Sequence, residues 1–251
     1  RVEDVFVPPG WFRGPAYRKT LPVVELVGGE RGGPVDWVRL GNAVQIADQY
    51  AAQHNGYAPI LVFVDATGGF SNDTECVNGP RGRAEDHLVR DIPRYVVTTF
   101  GATGDPRRWG VAGFSMGGTC SLGLVVEHPD VFRHFVDIDG DLTPNSGNPQ
   151  QTLADLYGGS VRDRALHDPM TVMRTHGRYV GVSGLFLVAA SETIHRREAG
   201  DLSRAAARAG ISAQLVVSPG RHVWQFAAPA FQQAFAWFVN QLTPGAPPSV
   251  P

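Results

Sequence analysis

The stretch Gly113-Phe114-Ser115-Met116-Gly117 places a serine between two glycines, each two residues away. A strand-like apolar approach, Trp109-Gly110-Val111-Ala112, precedes it, and a helix-compatible run from Thr119 to Glu127 follows. A serine held out of a sharp strand-to-helix turn sits at strained backbone angles. Glycines on either side leave room for the neighbouring strand and helix. The helix N-terminus then directs free N–H groups at an oxyanion forming on a carbonyl substrate. The bland alternative is a Gly/Ser-rich loop. The flanking strand and helix signals favour a nucleophile.

A serine hydroxyl is a weak nucleophile near neutral pH. It needs a base, and the base needs an orienting acid. In the chain order that accompanies such a turn, the acid and then the histidine follow the serine, each on a loop after a strand. His222 meets that demand, in the loop Pro219-Gly220-Arg221-His222-Val223-Trp224 after the strand-like Leu215-Val216-Val217-Ser218. His195 is its main competitor but precedes that strand. His128 and His134 lie too near the serine, and His54, His87, His167 and His176 read as surface or capping residues. Glu192 directly follows the apolar run Leu185 to Ala190 and is the expected acid, with Asp201, read as a helix N-terminal residue, as runner-up. The backbone N–H of Met116 is one expected oxyanion donor. Gly28, in the turn Val27-Gly28-Gly29, is the other, within one or two residues.

Asp137-Ile138-Asp139-Gly140-Asp141 carries an acidic alternation that faintly suggests calcium. Its glycine falls at the fourth place rather than the sixth, and no glutamate closes the loop. No metal is expected there, and no cofactor anywhere. The three aspartates read as a hydrogen-bonded strand end beside the site.

The elements that must position these residues can be read in order. Val2 to Val7 is a short edge strand, and Leu21 to Val27 and Pro59 to Asp65 are buried strands. A helix is expected from Val35 to His54. A long polar loop runs from Ala66 to Arg83, and a helix, kinked or started by Pro93, from Glu85 to Phe100. After the serine turn come a strand from Phe132 to Asp139, an irregular cap-like segment at 152–180, and a strand from Gly184 to Ala190. A helix from Asp201 to Ala209, a strand from Ala213 to Ser218 and an amphipathic helix from Phe231 to Leu242 complete the order. Alternating buried strands and helices predict an α/β fold, a mostly parallel central sheet covered by helices on both faces. One domain is expected over 1–242, followed by a Pro-rich disordered tail at 243–251.

The 251 residues are 43% hydrophobic and 18% charged, enough for one large core. A net charge of −2 without a basic tract argues against a nucleic-acid partner. No apolar run reaches the roughly 18 residues of a membrane span. The chain begins at Arg1, which suggests a processed or truncated product whose targeting segment or anchor lies outside it. The two cysteines, Cys76 and Cys120, lack metal-ligand spacing. They form either a disulfide tying the polar loop to the nucleophile helix, which implies an oxidising compartment, or two free thiols.

With these residues in place, the chain resembles the esterase D and antigen 85 branch of the α/β-hydrolases. The resemblance covers Leu21 to Leu242. It rests on Leu21 to Gly29, Thr67-Gly68-Gly69-Phe70-Ser71-Asn72-Asp73, His87 to Pro93, Gly113 to Gly118 and Glu127 to Phe132. Asp73-Thr74-Glu75-Cys76-Val77-Asn78 with Gly117-Gly118-Thr119-Cys120 is more narrowly similar to actinobacterial esterase-like proteins, which often carry membrane spans ahead of an extracytoplasmic hydrolase domain. The resemblance implies the α/β-hydrolase fold and serine acyl transfer by Ser115, Glu192 and His222, with Met116 as an oxyanion donor. It also implies an extracytoplasmic location, secreted or at the cell envelope, with a possible membrane anchor upstream. The chain departs from antigen 85 at Gly117, where those enzymes have a second serine, and over 152–180.

The leading expectation is a serine carboxylic ester hydrolase acting through an acyl-enzyme on envelope or lipid-type esters. The first alternative is an acyltransferase that delivers the acyl chain to a sugar or lipid hydroxyl. The second is a non-catalytic binding protein on the same fold.

Overall fold

The computed structural model describes residues 1–69 and 71–243. The expected tail therefore lies, from residue 244 on, outside the described residues. Seven strands form one sheet: β1 (Asp4–Phe6), β2 (Val23–Val27), β3 (Ile60–Val64), β6 (Trp109–Phe114), β7 (His134–Ile138), β8 (Ser183–Ala189) and β9 (Ser212–Ser218). The short β4 (Asn78–Gly79) and β5 (Gly82–Arg83) pair as a separate hairpin inside the long polar loop. The sheet order is β1-β3-β2-β6-β7-β8-β9. Only β1 runs antiparallel, and it caps an edge.

Strand alternation divides the core in two. Val23 and Val27 point to one face, beneath the helices Ile92–Phe100, Met116–Glu127 and Thr193–Ala209. Val24 and Leu26 point to the other, beneath Ala43–Gln53 and Trp224–Gln241. Between β7 and β8, the segment expected to be cap-like forms three short helices, Pro149–Tyr157, Val161–Leu166 and Pro169–Thr175.

Several helix boundaries differ from the sequence expectation, for local reasons. The helix expected at 35–54 is two helices, Pro34–Arg39 and Ala43–Gln53. Between them Asn42 turns left-handed (φ 53°), and a Cβ on Gly41 would lie 2.6 Å from the Trp37 ring. Before Pro93 the chain widens into a π turn, His87–Asp91, in which Ile92 N–H reaches His87 O. Proline has no N–H to give the carbonyl four residues back, so the regular ladder cannot run through it. The helix expected to begin at Asp201 begins at Thr193, which leaves Asp201 mid-helix and not at its N-terminus. Its first two turns bury little apart from Ala199 and Gly200, so apolar periodicity was weak there. The last helix starts at Trp224 and carries Pro229 inside it.

Glu25 lies in the middle of β2 with no exposed surface, and neither carboxylate oxygen has a hydrogen-bond partner. Burial first, and the Glu3 carboxylate second, push its carboxyl well above the ordinary value. The folded protein therefore keeps this proton while the unfolded chain releases it, and stability falls as pH rises above the unfolded value. Glu25→Met is expected to stabilise the fold by about 1–3 kcal/mol at pH 8 and by less at pH 4. Urea unfolding midpoints at the two pH values measure this. An equal or larger gain at pH 4 would contradict the proton assignment.

Cys76 and Cys120 are joined in a disulfide that closes a 44-residue separation. The bond fixes the polar loop to the nucleophile helix. Loop-closure entropy puts its contribution at about 4 kcal/mol. Reduction, or the double replacement by serine, should lower the urea midpoint accordingly. An unchanged midpoint would mean that packing alone holds the loop.

Candidate active site

The nucleophile turn is built by steric exclusion. Ser115 has φ 60° and ψ −123°, in left-handed territory that costs a residue with a Cβ. A Cβ on Gly113 would fall 1.9 Å from Gly117 O, and one on Gly117 would fall 2.1 Å from Val27 O. Both glycines are therefore needed for strand, turn and helix to pass so closely. The turn is pinned by Ser115 N–H donating to Ile138 O (3.0 Å) and by Gly118 and Thr119 N–H donating to Ser115 O (2.8 and 3.2 Å). Met116 begins the helix, so its N–H falls outside the helical ladder.

Gly29, rather than Gly28, is the glycine against the nucleophile. A Cβ on Gly29 would lie 3.4 Å from Ser115 Cβ and 3.9 Å from its Oγ, whereas one on Gly28 would meet Gly33 O at 3.6 Å. The turn Val27-Gly28-Gly29 thus lies beside Ser115 through Gly29.

His222 sits in the loop between β9 and the last helix, and its Nε2 is 2.8 Å from Ser115 Oγ. Phe114 tilts against the imidazole at 4.8 Å and is itself packed edge-on by Trp224. Burial, followed by the charge of His195, holds the imidazole below its ordinary value, which favours the neutral ring.

The acid is where structure and sequence part. Glu192 Oε1 accepts the backbone N–H of His222 (3.1 Å) and the Ser191 hydroxyl (3.1 Å), not the imidazole. The ring's Nδ1 instead faces Asp139 Oδ2 at 3.7 Å. Both of those atoms are buried and otherwise unpartnered. Asp139 has a fully buried side chain. Its Oδ1 accepts Ala189 N–H (2.8 Å), and burial pushes its carboxyl up to about 6. Asp139 also has φ 49°. That left-handed residue breaks the extended alternation assumed for Asp137, Asp139 and Asp141, and re-aims the carboxylate toward β8 and the histidine loop. No periodicity signals such a kink. The only legible clue was an acidic run at the end of the strand next to the nucleophile strand.

Asp137 stays structural: its Oδ1 accepts Gly140 N–H at 2.8 Å, and burial raises its carboxyl to about 7. His195, the competitor for base, does not reach the serine. Its ring lies 4.9 Å from that of His222, and its Nε2 is 3.2 Å from Asp141 Oδ1.

The esterase family model, described as "Putative esterase", matches residues 4–158. A protein of Corynebacterium glutamicum described as uncharacterized is 32% identical over 242 residues, which is 94% of this chain and 56% of that protein. The chain thus spans just over half the length of this curated relative. Among solved structures, an S-formylglutathione hydrolase from Agrobacterium tumefaciens superposes with a TM-score of 0.75 at 14% identity, covering 96% of this chain and 89% of that one. MPT51 (FbpC1) of Mycobacterium tuberculosis, an antigen 85-like protein, superposes with a TM-score of 0.64 at 17% identity, covering 89% and 91%. At these identities the likeness carries the fold alone, and that fold is the expected α/β-hydrolase. A parallel sheet with a strained serine at its centre and a family match over more than half the length lead to one assignment: the chain belongs to the esterase family of α/β-hydrolases.

Proposed function

We propose that this chain hydrolyses carboxylic esters through an acyl-enzyme on Ser115. The observation that carries the reading is the 2.8 Å approach of His222 Nε2 to Ser115 Oγ at a strained turn, with a buried carboxylate behind the ring. Ser115 Oγ attacks the ester carbonyl while its proton passes to His222 Nε2. The imidazolium returns that proton to the departing alcohol. Water then repeats the sequence on the acyl-enzyme and regenerates the serine. The N–H of Met116 and the Gly28-Gly29 turn supply the oxyanion donors.

In this reading Asp139 is the orienting carboxylate. A base that accepts at Nε2 carries its own hydrogen on Nδ1, and that hydrogen needs an acceptor. Asp139 Oδ2 is an unpaired acceptor facing it, and a closure of under about 1 Å makes the bond, a tightening common on going from free enzyme to complex. Glu192 holds the histidine loop through the backbone.

Lipid-type or envelope esters suit this site. Buried Phe114 packs against the His222 ring, Trp224 packs on Phe114, and Val223 is 44% exposed next to His222. The disulfide supports action in an oxidising, extracytoplasmic compartment. The test is p-nitrophenol release from short- and long-chain acyl esters, with and without a sugar acceptor. Release that rises with chain length and ignores the acceptor supports the proposal. Acceptor-dependent acyl product would make the chain a transferase. No release from any ester would favour a binding protein on this fold.

A further inference from the structure

Three side chains beside the nucleophile each have one polar atom anchored and one left over. Asp139 Oδ1 accepts Ala189 N–H, His195 Nε2 bonds Asp141 Oδ1, and His222 Nε2 bonds Ser115 Oγ. The remaining atoms, Asp139 Oδ2, His195 Nδ1 and His222 Nδ1, are all buried without a hydrogen-bond partner. The three residues bring ligand-capable atoms within 4.8 Å of one another. Two imidazoles and a carboxylate are the donor set of a borderline transition metal such as zinc. A tetrahedral ion would draw its ligand atoms in to roughly 3.3 Å of one another, and His222 Nδ1 and Asp139 Oδ2 already stand 3.7 Å apart.

We propose that Asp139, His195 and His222 form a divalent transition-metal site whose occupancy switches off the hydrolase. The arrangement has the outer support such sites use. The Asp141 carboxylate takes the Nε2–H of His195, so Nδ1 is the atom left to a metal, which must displace any proton held there. The side chains of His222 and His195 are 30% and 19% exposed, so an ion has a route in and water can fill a fourth position. The other mixed cluster, Glu85, Glu127 and His128, differs. There His128 bonds Glu85 and His167 bonds Glu127, each at 2.7 Å, so its donors already satisfy one another.

Inhibition follows from proton bookkeeping on one ring. A neutral imidazole has one N–H and one lone pair. When the metal takes the lone pair of Nδ1, the hydrogen must sit on Nε2. His222 Nε2 then donates toward Ser115 instead of accepting its proton, and general-base catalysis stops. The Nδ1–H bond of His222 breaks and an Nε2–H bond forms, the proton passing through water, so the ring stays neutral; removal of the ion reverses the transfer. The inhibitory half of the proposal rests on the ester-hydrolase reading, whereas metal binding does not.

The experiment uses metal-stripped protein at pH 8 in a non-coordinating buffer. Cobalt(II) is titrated into Ser115→Ala, and zinc into the wild type during ester hydrolysis. The expected result is the visible absorption of a four-coordinate cobalt ion in Ser115→Ala, lost when His195→Phe is added. Zinc should abolish wild-type hydrolysis, with recovery on chelation. In His195→Phe, hydrolysis scaled to that variant's own zinc-free rate should resist the same zinc. Asp141→Asn, a milder change, should raise the half-inhibiting zinc concentration about 10–100-fold. No cobalt spectrum in Ser115→Ala overturns the site. Cobalt binding with zinc-insensitive hydrolysis overturns its inhibitory role. A wild type that hydrolyses no ester but gives the His195-dependent spectrum overturns the functional reading and upholds the site.

Discussion

Replacing Ser115 with alanine is expected to lower kcat/KM for ester hydrolysis by about 10⁴–10⁶-fold while leaving the fold intact. The nucleophile is lost outright, and only the oxyanion donors and binding remain to act on water. The fold should survive because the turn is held by backbone bonds to Ile138 O and by the two close-packed glycines, not by the hydroxyl. Among the described residues, the serine side chain bonds only His222. Burst kinetics and the mass of a trapped acyl adduct, with circular dichroism for the fold, measure the result. A variant that retained more than about a hundredth of the wild-type rate would show that Ser115 is not the nucleophile.

Asp139→Asn is expected to cost about 10³–10⁴-fold in kcat, and Glu192→Gln less than about tenfold. The amide at Asp139 cannot take the Nδ1 hydrogen as an anion would, and its NH₂ can stabilise the wrong tautomer of His222. Glu192 bonds only the backbone N–H of His222 and the Ser191 hydroxyl, so its amide analogue keeps an acceptor for both. The split between kcat and KM matters: an orienting carboxylate changes kcat, whereas a displaced loop also changes KM. The reverse ranking, with Glu192→Gln crippling and Asp139→Asn mild, would return the acid role to Glu192 and require its side chain to swing from backbone to ring.

The roles of glycine and serine at the nucleophile turn were legible because they are local. Gly113, Ser115 and Gly117 must be what they are for a strand to become a helix in so few residues. His222 was legible by its place after the last strand, since chain order constrains which loops reach the nucleophile. The strands were legible as apolar runs bounded by turn residues. Helix limits were less so. Asp201 looked like a start because the turns before it bury little, and the last helix, expected from Phe231, begins at Trp224 and runs through Pro229.

By itself, then, the amino-acid order determined the parallel sheet, the strained serine turn, the loop that brings His222 to it and the two cysteines available to one another. Only the tertiary structure decided which carboxylate faces the base. Glu192 and Asp139 both end strands beside the site, and nothing in their neighbours' polarity ranks them. The ranking comes from a single left-handed residue at Asp139 and from a backbone N–H at His222 that captures Glu192. Both are consequences of chain segments more than 25 residues apart arriving at one point, where a free Nδ1 meets the acceptor that happens to be unpaired.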